Sequence, residues 1–275
     1  MNGSFLDAEV DYGNLAEGCG KADGEGRGID FVKTRERGFL WERITIGSHS
    51  FKQGCEHPLG RYDTLTVRRT DLLSTDEIFD VAEEIARELC FLFERRGVIP
   101  RRILTVGLGN EDLTPDSLGA KCTARINATL QLTKEERNDA SEIAVFTPGV
   151  SSKSGLESVE AVSAICAKIK PDAVIAIDAL TARSPSRLGT AIQFSDAGIH
   201  PGSGVGKSGL ALDSSTLGIP VFSVGVPTVI SASAFCKGEC GELSSMLVAP
   251  KEIDVITERA AEAISLGINQ AFGII

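Results

Sequence analysis

Histidine is scarce in this chain, and its scarcity narrows the chemistry. The three histidines, His49, His57 and His200, are scattered, and no HExxH pair occurs. Serine or cysteine hydrolysis with a histidine base, and histidine-bound zinc hydrolysis, therefore lack a recognisable apparatus. No apolar run reaches the roughly eighteen residues of a membrane span. Met1 to Asp7 shows no basic stretch followed by an apolar block, so no secretory signal is expected. Basic residues are in deficit as well: 28 Lys and Arg against 38 Asp and Glu give a formal net charge of −10. Such an acidic body argues against nucleic acid as a direct partner and for basic or neutral polypeptides or small molecules. Seven cysteines, an odd number, point to reduced thiols in a cytosolic compartment. Cys236 and Cys240 stand four apart without a second Cys or His pair, so no metal site is expected there.

What is present is enough apolar sequence for one sizeable core, 42% of 275 residues. Residues 1–28 are rich in Gly, Asp and Glu and read as a flexible leader or a removable pro-segment. Strands are expected at 39–45 and 62–67, with Gly54, Pro58 and Gly60 as breakers between them. The spacing of Ile78, Val81, Ala82, Ile85, Leu89 and Leu92 predicts an amphipathic helix over 75–96, with Thr75 as its cap and Gly97 as its stop. Further strands are expected at 102–106, 143–146, 173–178, 190–194 and 220–226. A helix is expected to end at Ile169 before Pro171, and another to cover 251–267. Ala173-Val174-Ile175-Ala176-Ile177 is apolar throughout, as in a central strand buried on both faces. The alternation predicts an α/β three-layer sandwich with a mostly parallel central sheet and an N-terminal β excursion, residues 29–275 forming a single domain.

The stretch from Val106 to Gly119 is the centre of this pattern. A short apolar strand runs into a polar, Gly-rich turn. Leu118, Cys122, Ile126 and Leu130 then recur at helical spacing. Thr114, Pro115 and Asp116 suit the N-cap, N1 and N2 positions of that helix, where a carboxylate is favoured by the macrodipole. Open α/β sheets place their sites in such loops, beyond the C-terminal ends of strands.

Two glycine motifs are decoys. Gly107-x-Gly109 opens like a dinucleotide fingerprint, but the sixth position is Asp112, and Asp116 would repel a pyrophosphate. Gly202 to Ser208 resembles a phosphate loop, yet Pro201 stands where its first glycine belongs. No cofactor is expected. Phe194-Ser195-Asp196-Ala197-Gly198 echoes the pepsin signature once, in an α/β context, which leaves Asp196 only as a strand-end carboxylate. His200, beside Pro201, reads as a loop residue or a supporting base.

Asp116 beyond the first core strand and Asp178 at the tip of the most buried one remain. Two such groups brought close share one proton, so that one activates water and the other protonates the leaving amine.

Gly107-Leu108-Gly109-Asn110 with Leu113 to Gly119, the block Pro171 to Ser184, Gln193 to Gly206, Thr216 to Val229 and Val248 to Asp254 together resemble the germination (spore) protease family. The resemblance runs with gaps from about residue 29 to the end. It implies an endopeptidase of the spore core, in the cytoplasm, that degrades small acid-soluble spore proteins during germination. Asp116 and Asp178 fall on the family's catalytic aspartates. It also implies a fold similar to hydrogenase maturation peptidases, a zymogen that sheds an N-terminal segment, and a homotetramer. Asn110 would orient a carboxylate or the substrate backbone, and the loop of Gly202, Gly204 and Gly206 would line the cleft, with Asp196 and His200 as supporting residues. Residues 1–28 lack the family's usual processing motif, the stretch between Val229 and Val248 is short for it, and Lys207-Ser208 replaces its more usual Asn-Lys. The competing readings are a metal-binding maturation-type peptidase using Asp116, Asp178 and His200, and an inactive relative that only binds peptides.

Overall fold

The computed structural model describes residues 29–47, 58–200, 210–235, 241 and 246–274. Its strands are β1 (Ile29–Glu36), β2 (Phe39–Ile46), β3 (Gly60–Thr66), β4 (Arg102–Gly107), β5 (Glu142–Phe146), β6 (Ala173–Ala182), β7 (Ala191–Ser195), β8 (Val221–Ser231) and β9 (Leu247–Val248). Its principal helices are α1 (Thr75–Arg95), α2 (Leu118–Thr123), α3 (Ser158–Ile169) and α4 (Ile253–Ala271). The strands form one sheet in the order β1-β2-β3-β7-β8-β6-β4-β5, with β9 paired to the end of β8. β8, β6, β4 and β5 run parallel. β7 lies antiparallel to β8 and carries the antiparallel β3, β2 and β1. The expected β excursion is therefore an extension of the main sheet.

Alternation along β6 separates the two sides of the sandwich. Ile175 and Ile177 face α1, α2 and α4, packing with Ile85, Leu89, Leu118, Cys122, Ala260 and Ile264. Val174, Ala176 and Leu180 face α3, packing with Val159, Val162 and Cys166. Both faces of this strand are dry, which accounts for its unbroken apolar run. α1 starts with a capping box. Glu77 N donates to Ser74 Oγ at 3.3 Å, and Ser74 N donates to Glu77 Oε2 at 2.8 Å. The cap is thus Ser74, one residue before the expected Thr75. α1 crosses α4 closely at Gly267, where an added Cβ would stand 2.7 Å from Ile85 Cβ.

Three expectations need correction. β6 runs on to Ala182 because β8 continues to pair with it, so Asp178 lies within the strand and not at its tip. β1 was not expected, because its half-exposed pattern at the sheet edge dilutes the alternation signal. The helix expected from Thr114 is split: Thr114–Asp116 forms a 3-10 turn with no side-chain cap, and α2 is short, so Leu130 lies beyond it. The leader 1–28, His49, His57, Gly202, Gly204, Gly206, Lys207, Ser208, Cys236 and Cys240 lie outside the described residues. No helix among the described residues is long and apolar enough to cross a membrane.

Candidate active site

Glycines shape the turn that follows β4. Gly107 and Gly119 bring strand and helix backbones together: a Cβ on Gly107 would stand 2.3 Å from Gly119 O, and one on Gly119 would stand 2.3 Å from Leu108 O. Gly109 takes φ +96°, and a Cβ there would meet the Asp116 carbonyl oxygen at 2.2 Å. Internal bonds fix the rest of the turn. Leu113 N donates to Asn110 O at 3.1 Å, Asp116 N to Leu113 O at 2.8 Å, and Asp112 N to Asn110 Oδ1 at 3.2 Å.

Within this turn Asp116 folds back. Its Oδ2 accepts the backbone N–H of Asn110 at 2.8 Å, so the carboxylate closes the loop over Gly109. Asn110 thus meets Asp116 through its main chain, while its side-chain oxygen holds the turn. Leu108 N donates to Ile177 O at 2.8 Å, extending the β4–β6 ladder past the end of β4. The Gly109–Asn110 segment consequently leaves β4 beside the stretch of β6 that holds Asp178. The 3-10 turn carrying Asp116 also packs against β6, β8 and α4.

Asp178 is 5% exposed, and its Oδ1 accepts the N–H of Ala179 at 2.8 Å. It stands opposite Gly225 of β8, which in turn stands opposite Gln193 of β7. Gln193 is buried and its Nε2 donates to Thr64 Oγ1 at 3.0 Å. Its mark in the sequence is a polar side chain inside the apolar run Ala191-Ile192-Gln193-Phe194. By alternation Asp178 shares the α3 face with Leu180.

His200 follows Ile199, which bridges to Leu212 and packs on that same α3 face. Burial lowers the His200 pKa, while the Asp213 charge opposes the shift, so the net preference is for neutral imidazole. Asp213 itself caps the turn Ser214–Leu217, accepting Ser215 N and Thr216 N at 2.9 Å each.

Asp196 is placed elsewhere. Because β7 is antiparallel, its end at Ser195 stands level with Ser223 and Ala176, toward the start of the parallel strands and across β8 from β6. There Asp196 accepts Arg61 N at 2.7 Å and faces Arg95 at 3.7 Å. The structure brings the Asp116 turn to the Asp178 strand and keeps Asp196 apart from both.

Among the described residues no three His, Cys, Asp or Glu side chains converge as metal ligands. What the arrangement offers chemically is a pair of carboxyl groups on adjoining backbone segments, Asp116 in the turn beyond β4 and Asp178 within β6, one residue past the level at which β4 ends.

Comparison with known proteins gives a consistent set. The family profile described as Germination protease matches residues 16–240. A germination protease of Clostridium acetobutylicum is 33% identical over 255 residues, covering 77% of this chain and 78% of that protein. One from Caldanaerobacter subterraneus is 31% identical over 288 residues, covering 89% and 88%. One from Bacillus thuringiensis is 38% identical over 216 residues, covering 76% and 59%. Among solved structures, the NiFe hydrogenase maturation protease HycI from Thermococcus kodakarensis is 21% identical with a TM-score of 0.41, covering 68% of this chain and 99% of that one.

Proposed function

Because the chain belongs to the germination protease family, we propose that it is an endopeptidase that degrades small acid-soluble spore proteins during germination, with Asp116 and Asp178 as its catalytic pair. In this reading the ionised carboxylate takes a proton from water as the water oxygen attacks the scissile carbonyl carbon. The protonated partner gives its proton to the departing amine, and the pair returns to one shared proton. Asn110 holds Asp116 through its N–H. The leader is a pro-segment and the working enzyme a homotetramer in the spore core.

The observation that supports this most is the bond from Leu108 N to Ile177 O together with that from Asn110 N to Asp116. The first bond sets the turn beyond β4 beside the β6 segment of Asp178, and the second holds the Asp116 carboxylate within that turn. The test is cleavage of a purified small acid-soluble spore protein by the full chain and by a chain starting at Ile29. Asp116→Asn and Asp178→Asn should each lower the rate by about 10²–10⁴-fold while leaving the far-ultraviolet circular dichroism unchanged. Undiminished cleavage by either folded variant would overturn the assignment.

A further inference from the structure

The seam between α1 and the antiparallel end of the sheet is charged where a helix–sheet contact is ordinarily apolar. Glu84 and Glu88, one turn apart on α1, are 2% and 4% exposed, and Asp63 on β3 is wholly buried. Four arginines meet them, each from a different element. Arg37, in the β1–β2 turn, and Arg87 on α1 both bond Glu84. Arg43 on β2 bonds Glu36 at 2.8 Å, lies 3.4 Å from Glu88 Oε2, and stacks 4.6 Å over Trp41. Arg61 on β3 donates to Asp63 Oδ2 at 2.5 Å and lies 4.8 Å over Phe91. From β7's end, Asp196 faces Arg95 of α1.

After all these pairings three carboxyl oxygens remain buried without a hydrogen-bond donor, Asp63 Oδ1, Glu88 Oε1 and Asp196 Oδ2; Asp196 Oδ2 still faces the Arg95 guanidinium at 3.7 Å, which leaves Asp63 Oδ1 and Glu88 Oε1. Two anionic oxygens sealed from water and lacking donors are costly, and one proton placed between them removes the problem for both. Arg61 stands closer to Asp63 than Arg43 does to Glu88, so the proton belongs on Glu88 and is donated to Asp63.

We propose that Asp63 and Glu88 share a single proton, carried by Glu88, and that this proton latches β2 and β3 onto α1. The inference is independent of the peptidase reading. Burial foremost, then the hydrogen bond and charge of Asp63, push Glu88 up to about 9, with Arg43 and Arg61 pulling the other way. A carboxyl group whose pKa is raised on folding stabilises the fold fully below its unfolded value of 4.5, and that contribution is lost as pH rises toward 9. Loss of the proton to solvent puts a second negative charge beside Asp63 and loosens the seam.

Glu88→Gln keeps a donor for Asp63 and cannot ionise. Urea unfolding of the full chain and of E88Q, followed from about pH 5.5 to 8.5, reads the latch directly. The folding equilibrium constant of E88Q relative to wild type should climb with pH, approaching tenfold per unit. A ratio that does not change with pH would mean that Glu88 is ionised in the native state, and would overturn the proposal. Should E88Q fail to fold, infrared spectroscopy of the Asp116→Asn, Asp178→Asn double variant supplies the answer. A protonated-carboxyl stretch at neutral pH that disappears near pH 9 is expected, and its absence would overturn the proposal equally.

Discussion

A methyl group added to Gly119 would lie 2.3 Å from the Leu108 carbonyl oxygen and 2.5 Å from its nitrogen. Both contacts are with backbone, so the α2 start must move off β4. Gly119→Ala should therefore cost about 1–3 kcal/mol in urea unfolding. It should also lower peptidase activity more than the stability loss explains, because it displaces the Asp116 turn. Gly109→Ala adds strain at φ +96° and should behave alike. Single residues differed in how far the sequence revealed them. Asp178 was legible as an acid ending five apolar residues. Asp116 was legible by position, but its carboxylate serves the Asn110 N–H instead of starting a helix, a tertiary closure that no local signal encodes. The Asp63–Glu88 contact was not legible at all, since it joins a strand to a helix face that reads as solvated charge until the sheet covers it.

Among the elements, α1 was the clearest in the sequence, its apolar stripe and stop both matching the structure. Its start rests on the reciprocal bonds of Ser74 and Glu77, and Ser74→Ala should cost about 0.5–2 kcal/mol, read as a lower urea midpoint with unchanged slope. Gly267 sets how closely α4 approaches α1. The parallel strands were legible as apolar runs, buried on both faces in β4, β6 and β8 and only partly buried in β5 at the sheet edge. The direction of β7 was not, because Ala191 to Ser195 carries no mark of whether its neighbour runs with it or against it. That direction is what sends Asp196 to Arg95 and leaves Asp178 with Gly225 and Gln193. β8 continues to Ser231, well past the expected end at Val226, because β6 and β9 supply its partners there.

At the scale of the whole molecule, one sheet serves two purposes. Its parallel half presents strand ends and loops, where the candidate carboxyl pair stands, and its antiparallel half is fastened to α1 by buried charge. The α/β class and the layer order followed from the alternation of strands and helices in sequence. The union of both halves into one sheet did not, because it depends on the long-range pairing of β3 with β7. The central claim is that Asp116 and Asp178 act as one catalytic unit. It is tested most directly by kcat/KM for a small acid-soluble spore protein, measured after exhaustive chelation on wild type, Asp116→Asn, Asp178→Asn and the double variant. Chelated wild type should cleave, and the double variant should lose no more than either single variant, since residues acting as a unit are strongly non-additive. Losses that multiply in the double variant, or wild-type activity that vanishes on chelation and returns with added metal, would contradict the account.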